Sequence, residues 1–153
     1  MMASKLNLVT DPKTSARMRR IRRAGTKPEL IVRKWLTSQG VRYTVNNADL
    51  PGSPDLANRS RKWAIFVHGC FWHGHERCRL ATLPKRNREF WRGKIESNRL
   101  RDQSKEAQLA AMGFTVLTFW QCEVEKNPNL GIPVPSQFVS RLLRVPTQAP
   151  RQA

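Results

Sequence analysis

The chain has 153 residues, with 28 Lys and Arg against 11 Asp and Glu and a formal charge of +17. That length supports one core-bearing domain with tails, and that charge calls for a polyanionic partner, nucleic acid first. The sequence has no long apolar run and no basic amphipathic helix with a continuous greasy face, which sets a membrane partner aside.

The N-terminus, Met1 to Lys5, lacks the apolar core of a signal peptide, so a cytoplasmic protein is expected. Three cysteines are an odd number, and in a reducing compartment they point to metal ligation or plain burial rather than disulfides. Residues 1–13 are polar and predict disorder. Residues 14–25 carry five arginines around Met18 and Ile21. A helix there would place those two apolar residues on one edge. The segment reads either as a solvated basic arm or as an arm that lies along DNA and pushes two wedges at a base step. Residues 1–25 thus form a basic N-terminal arm ahead of the folded domain.

Thr26-Lys27-Pro28-Glu29 is a helix start, with Thr26 to cap, Pro28 in the first turn and Glu29 where a capping box wants an acid. Leu30, Ile31, Trp35 and Leu36 form the expected apolar stripe, and Gly40 ends the helix. Val41–Val45 predicts a strand, and Asn46–Asp49 a turn. Leu50–Leu56 is a Pro/Gly-rich bend that feeds Asp55 into a short strand. Arg59-Ser60-Arg61 turns the chain, and Lys62–Gly69 is an apolar strand. Asp55 and the end of that strand are a hairpin apart, so they can meet at one sheet edge.

The strand delivers residues 65–78, which hold all three histidines (His68, His73, His75), two of the three cysteines (Cys70, Cys78), and Phe71 with Trp72. A basic loop over 79–86 leads to a long helix from about Asn87 to Met112, stopped by Gly113. Trp91, Ile95, Asn98, Asp102 and Leu109 share one face of it, and an acid on an inward stripe either pairs with an Arg or faces an active site. Phe114–Trp120 is a further strand. Residues 125–153 form a Pro-rich tail, with a short helix expected over 136–144.

Cys70, His75 and Cys78 follow a C-x4-H-x2-C spacing, and Cys122 follows the last strand. Three thiolates and one imidazole would close a tetrahedral Zn²⁺ site with no open position, hence a structural one; three buried free thiols is the alternative. Pro54-Asp55 before a strand resembles the metal-binding half of a PD-(D/E)xK nuclease. The second half is missing, because the strand offers Phe66-Val67-His68 and no acid-x-Lys pair. In a nuclease, Asp55 and backbone carbonyls would suit a hard Mg²⁺, with Glu29 and Asp102 as further acids. A neutral His73 could then take a proton from the attacking water. Phe71, Trp72 and Trp91 are either core or rings that stack into DNA.

Leu50-Pro51-Gly52-Ser53-Pro54-Asp55, Phe66-Val67-His68-Gly69-Cys70-Phe71-Trp72-His73, Glu89-Phe90-Trp91 with Lys94-Ile95, and Val116-Leu117 through Trp120-Gln121-Cys122 resemble the very short patch repair (Vsr) endonucleases from about Ser15 to Glu123. The resemblance implies an α/β fold: a single-domain mixed β-sheet flanked by helices, PD-(D/E)xK-like (restriction-endonuclease-like), with a structural zinc site and a nuclease domain over 26–124. It implies a Mg²⁺-dependent enzyme that nicks duplex DNA 5′ to the thymine of a T·G mismatch left by deamination of 5-methylcytosine. Carried over, Asp55 and the Val67 carbonyl hold Mg²⁺, His73 is the catalytic histidine, and Glu29, His68 and Asp102 order metal-bound waters. Zinc falls to Cys70, His75, Cys78 and Cys122. Phe71, Trp72, Trp91, Met18 and Ile21 match the intercalating residues. The resemblance also implies a monomer, with mismatch-repair proteins as candidate partners.

The stretch after His73 is poorer in histidine than in some relatives, and the arm is richer in arginine, which predicts a steep salt dependence of DNA binding. Two other readings stay open at this point: a related nuclease cutting intact duplex at a recognition sequence, and a zinc-held DNA-binding module without catalysis.

Overall fold

The computed structural model describes residues 11–19 and 25–126. The elements are α1 (Pro12–Arg19), α2 (Lys27–Ser38), β1 (Leu56–Asn58), β2 (Trp63–His68), a single 3-10 turn (Arg79–Ala81), α3 (Arg88–Ala111), β3 (Thr115–Trp120) and α4 (Gln121–Lys126). Ile21, the side chain of Met18 and the expected helix over 136–144 lie outside the described residues. Among the described residues no helix is long and apolar enough to cross a membrane.

α2 starts with the expected Thr26 cap and first-turn proline, while the Glu29 carboxylate accepts from the Gly25 N–H in place of the Thr26 N–H of a capping box. The Thr26 side chain accepts from the Glu29 N–H, and Pro28 fills a first-turn position where no donor is needed. It stops at Gly40, which adopts φ +70°. The Val41 N–H then bonds the Leu36 carbonyl and the Gly40 N–H the Thr37 carbonyl, the paired bonds of a Schellman cap. The buried face of α2 differs from the expected stripe. It consists of Pro28, Glu29, Val32 and Leu36, with Ile31 and Trp35 at its margins, while Leu30 is exposed. Steps of four from Pro28 set that face, and Leu30 falls off it.

The expected strand Val41–Val45 does not form. Only Thr44 makes an isolated bridge, to Ala57. Side chains take the place of ladder partners here: Asn58 Nδ2 donates to the Arg42 carbonyl, and the Asn47 side chain donates to the carbonyls of Thr44 and Pro54. Asn47 is buried, so its amide holds the bend shut where a sheet edge would otherwise continue.

The sheet has the order β1-β2-β3, with β1 antiparallel and β3 parallel to the central β2. A hairpin suffices for the first pair, and α3 provides the crossover that the parallel pair requires. Alternation along the strands sorts the core into two faces. Trp63, Ile65, Leu56 and Phe119 pack with Val32, Leu36 and Val124 on the α2 and α4 side. Ala57, Ala64 and Phe66 pack with Leu50, Leu109 and Phe114 on the α3 side. Ala57 and Ala64 are register partners, so two methyl groups meet the layer beneath α3. α3 itself turns Trp91, Ile95, Asn98, Asp102 and Leu109 inward, as its spacing predicts, and only Ile95 and Leu109 of these are fully buried. α4 is not expected from the sequence; it seats Val124 in the core immediately after β3.

Candidate active site and metal centre

The strand parity that buries Ala64 and Phe66 toward α3 puts His68 on that same face, at the C-terminal end of β2. Asp55 shares the parity of Ala57 and so reaches the same end from the neighbouring strand. Its Oδ2 accepts the Val67 N–H at 2.7 Å. In a strand, the N–H and C=O of one residue project to the same edge, so the Val67 carbonyl also opens toward Asp55. Burial, reinforced by the nearby charge of Glu29, raises the Asp55 pKa to about 6; the Val67 N–H and the charges of His73 and Arg33 oppose that rise. A carboxylate desolvated beside a carbonyl is suited to a hard divalent cation, which offsets the desolvation and takes oxygen ligands.

His73 lies just beyond the strand, in a turn closed by its own N–H to the Gly69 carbonyl at 3.2 Å. Its ring stacks on His68, with centroids 3.8 Å apart and planes 3° from parallel. Its Nδ1 lies 2.6 Å from Asp102 Oδ2, on the inward stripe of α3. In the neutral ring, a proton on Nδ1 that donates a hydrogen bond to this carboxylate leaves Nε2 as an acceptor. Burial and the neighbouring His73 lower the His68 pKa to about 4, against the pull of Asp102, so His68 is neutral at physiological pH. Asp55, Val67, His68, His73 and Asp102 line one pocket of about 250 Å³.

Glu29 stands differently. It is buried, its charge acts on Asp55, and both its oxygens are engaged. Oε2 accepts the Gly25 N–H at 3.0 Å, and Oε1 pairs with Arg33 one turn along α2. It does not line the pocket.

On the far side of the same loop, the ligand atoms of Cys70, His75, Cys78 and Cys122 all lie within 4.8 Å of one another. A tetrahedral Zn²⁺ with Zn–S bonds of about 2.3 Å has S–S edges of about 3.8 Å, so the donor set fits that ion in type, number and spread. The Cys122 N–H donates to Cys70 Sγ at 3.4 Å, and Cys122 Sγ lies 3.4 Å from His75 Nδ1. The His75 ring stacks on Trp120 at 4.2 Å. Burial raises the Cys70 thiol to about 12, so a dication is what would make that ligand anionic. Phe71, Trp72 and Trp91 form a half-buried cluster with centroids 5.3–5.6 Å apart. Asn98 Nδ2 fixes it by donating to the Trp72 carbonyl at 2.9 Å.

The profile of the DNA mismatch endonuclease Vsr family matches residues 7–79. The chain is 51% identical over 107 residues to the type II nicking enzyme V.XorIIP of Xanthomonas oryzae pv. oryzae, covering 70% of this chain and 78% of the relative. The chain belongs to the Vsr family. It is also 41% identical over 121 residues to the type II nicking enzyme V.NmeAIP of Neisseria meningitidis, covering 79% of this chain and 86% of the relative. To the DNA mismatch endonuclease Vsr of Escherichia coli it is 38% identical over 116 residues, covering 76% of this chain and 74% of the relative.

Within this Vsr chain, sequence reasoning names Asp55, Val67, His68, His73 and Asp102, and they converge. It does not name Arg101, Lys105 and Glu106, which line the same pocket from α3. The signal for them is their place beside Asp102 at helical spacing, which is faint in a chain holding 28 cations.

Proposed function

We propose that this chain is a DNA nicking endonuclease that cuts one strand 5′ to the thymine of a T·G mismatch. The observation that carries this reading is the pocket in which Asp55, His68, His73 and Asp102 meet, on a chain of charge +17. The names of its relatives, nicking enzymes and a DNA mismatch endonuclease, agree with it. The aromatic cluster supports the mismatch preference. Trp72 precedes His73, and Asn98, which fixes Trp72, lies one helical turn before Asp102. Rings that stack into a base step would thus be built on the same two elements as the chemistry, and a mispaired step costs less to open.

In this reading the fold is a PD-(D/E)xK-like nuclease domain over 26–124, preceded by a basic arm and followed by a Pro-rich tail. It acts in the cytoplasm as a monomer. Asp55 and the Val67 carbonyl would hold Mg²⁺, which, when bound, stabilises charge on the phosphate and the leaving oxygen. His73 Nε2 accepts a proton from the attacking water while Asp102 holds Nδ1–H and steadies the imidazolium that forms. His68 stays neutral, donates no charge to repel that imidazolium, and packs against its face. Glu29 holds the start of α2 to Gly25 and keeps a negative charge near Asp55. Cys70, His75, Cys78 and Cys122 would hold Zn²⁺, which fixes the loop that carries His73.

The test is a strand-resolved cleavage assay. Each strand of a duplex with one T·G mismatch is labelled, Mg²⁺ is added, and a matched C·G duplex is run beside it. The expected result is a single nick 5′ to the thymine, absent from the control. Equal cutting of both duplexes would remove the mismatch preference, and tight binding without cutting would remove the catalytic assignment.

A further inference from the structure

The pocket carries three carboxylates, Asp55, Asp102 and Glu106. A phosphodiester entering it meets negative charge on two walls, so the approach needs cations that the chain itself supplies. β2 offers none, since its pocket end reads Phe66-Val67-His68 and His68 is neutral. α3 does. Arg101 and Lys105 are four residues apart, and so are Asp102 and Glu106, which makes two adjacent ridges on one helix, one basic and one acidic. The acidic ridge is engaged. Asp102 holds His73, and Glu106 accepts from the Thr118 hydroxyl at 3.3 Å. The basic ridge lines the pocket without forming an ion pair among the described residues.

The stem of Lys105 is fixed by the opposite lip. A Cβ on Gly52 would come within 2.8 Å of Lys105 Cβ and 3.1 Å of its Cγ, so the bend 50–55 and the lysine stem are in close contact. Gly52 also has φ +74°, a conformation that favours glycine. The lysine is half-buried, with its stem against the bend, and a long side chain of this kind can bury its stem while its charged head reaches water. Lys105 lines the pocket with Asp55, and its ammonium is not among the charges that shift Asp55, which are those of Glu29, His73 and Arg33.

We propose that Lys105, assisted by Arg101, is a positioning residue that grips a DNA backbone phosphate at the mouth of the pocket and so sets the strand over Asp55 and His73. This rests on the nuclease reading above. The contact is to phosphate and carries no base preference. One such contact adds about 0.9 to the slope of log K against log salt, which is about five- to tenfold in affinity at 0.1 M salt.

The experiment compares wild type, Lys105→Met and Lys105→Arg. Methionine keeps the stem against Gly52 and removes the charge, and arginine restores it. Duplex binding is followed by fluorescence anisotropy from low to high salt, on T·G and matched C·G duplexes, with nicking measured in parallel. Lys105→Met is expected to weaken binding about five- to tenfold on both duplexes and to lower the salt slope by about 1. In nicking, the loss falls mainly on KM, and Lys105→Arg recovers most of it. A salt slope unchanged in Lys105→Met overturns the proposal, including when its Tm falls, since that would mark a packing role alone. A wild type that binds but never nicks sinks the nuclease reading, and the phosphate contact is then judged on the salt slope alone.

Discussion

Gly74→Ala is the most informative single substitution, because Gly74 separates the candidate base His73 from the candidate zinc ligand His75. Gly74 has φ +63°, and a left-handed conformation costs an L-residue about 1–2 kcal/mol. The added Cβ would lie 2.5 Å from Ile95 Cγ2 and 3.0 Å from Arg99 Cδ. Arg99 can swing aside, but Ile95 is buried and its Cγ2 is fixed by β-branching. Restoring ordinary carbon contact at about 3.5 Å requires the loop to retreat by about 1 Å. Overpacking of that kind costs about 1–3 kcal/mol. The total is about 2–5 kcal/mol, which for a domain of this size lowers Tm by about 5–15 °C. A displacement of about 1 Å at His73 would also slow nicking about 100-fold. Gly40→Ala is the control, since Gly40 has a similar φ, +70°, with nothing within 4 Å of its added Cβ. It should show the conformational cost alone, about 1–2 kcal/mol. Calorimetry and a single-turnover nicking assay on both variants measure the two effects. If Gly74→Ala melted no lower than Gly40→Ala and nicked like wild type, the tight seating of this loop on α3 would be refuted.

Asp102→Asn keeps the shape of the side chain but no longer fixes the His73 tautomer or balances its charge, so the nicking rate should fall about 10²- to 10⁴-fold with DNA affinity retained. A loss below about threefold would show that His73 needs no orienting acid. Asp55→Asn should abolish nicking and yet stabilise the metal-free protein. The sign follows from the raised pKa of Asp55: the folded form prefers the proton, so stability falls as pH rises from 3.8 through about 6. Urea denaturation should therefore show the variant gaining over wild type above pH 6 and gaining nothing below pH 4. Metal analysis should find one zinc per chain, and a strong chelator should unfold the 70–78 loop, read as new protease cleavage there, before the sheet is lost. Purified protein without zinc would remove that assignment.

Much of the site is legible in the sequence because it rests on local rules. The Thr26 cap, the Gly113 stop and the inward stripe of α3 follow from spacing, and the meeting of Asp55 with Val67 follows from hairpin geometry. Other features depend on groups far apart in sequence. Val41–Val45 has strand-like residues, but Asn47 and Asn58 take over its backbone partners. α4 has one buried side chain, Val124, too few for a periodic signal. The convergence of Lys105 on the pocket depends on how α3 lies across β2, which no window of sequence encodes.

The methyl pair of Ala57 and Ala64 acts at a distance from the chemistry. These two small side chains set the spacing between the sheet and α3, and Leu109 and Phe114 close over them. The same helix carries Asp102 two turns away, at 2.6 Å from its histidine. A bulkier residue at position 64 would act like a shim under a beam, lifting α3 and parting that hydrogen bond without changing the identity of any pocket residue. In the proposed nuclease, the geometry of the site would thus depend in part on side chains too small and too remote to be taken for functional ones.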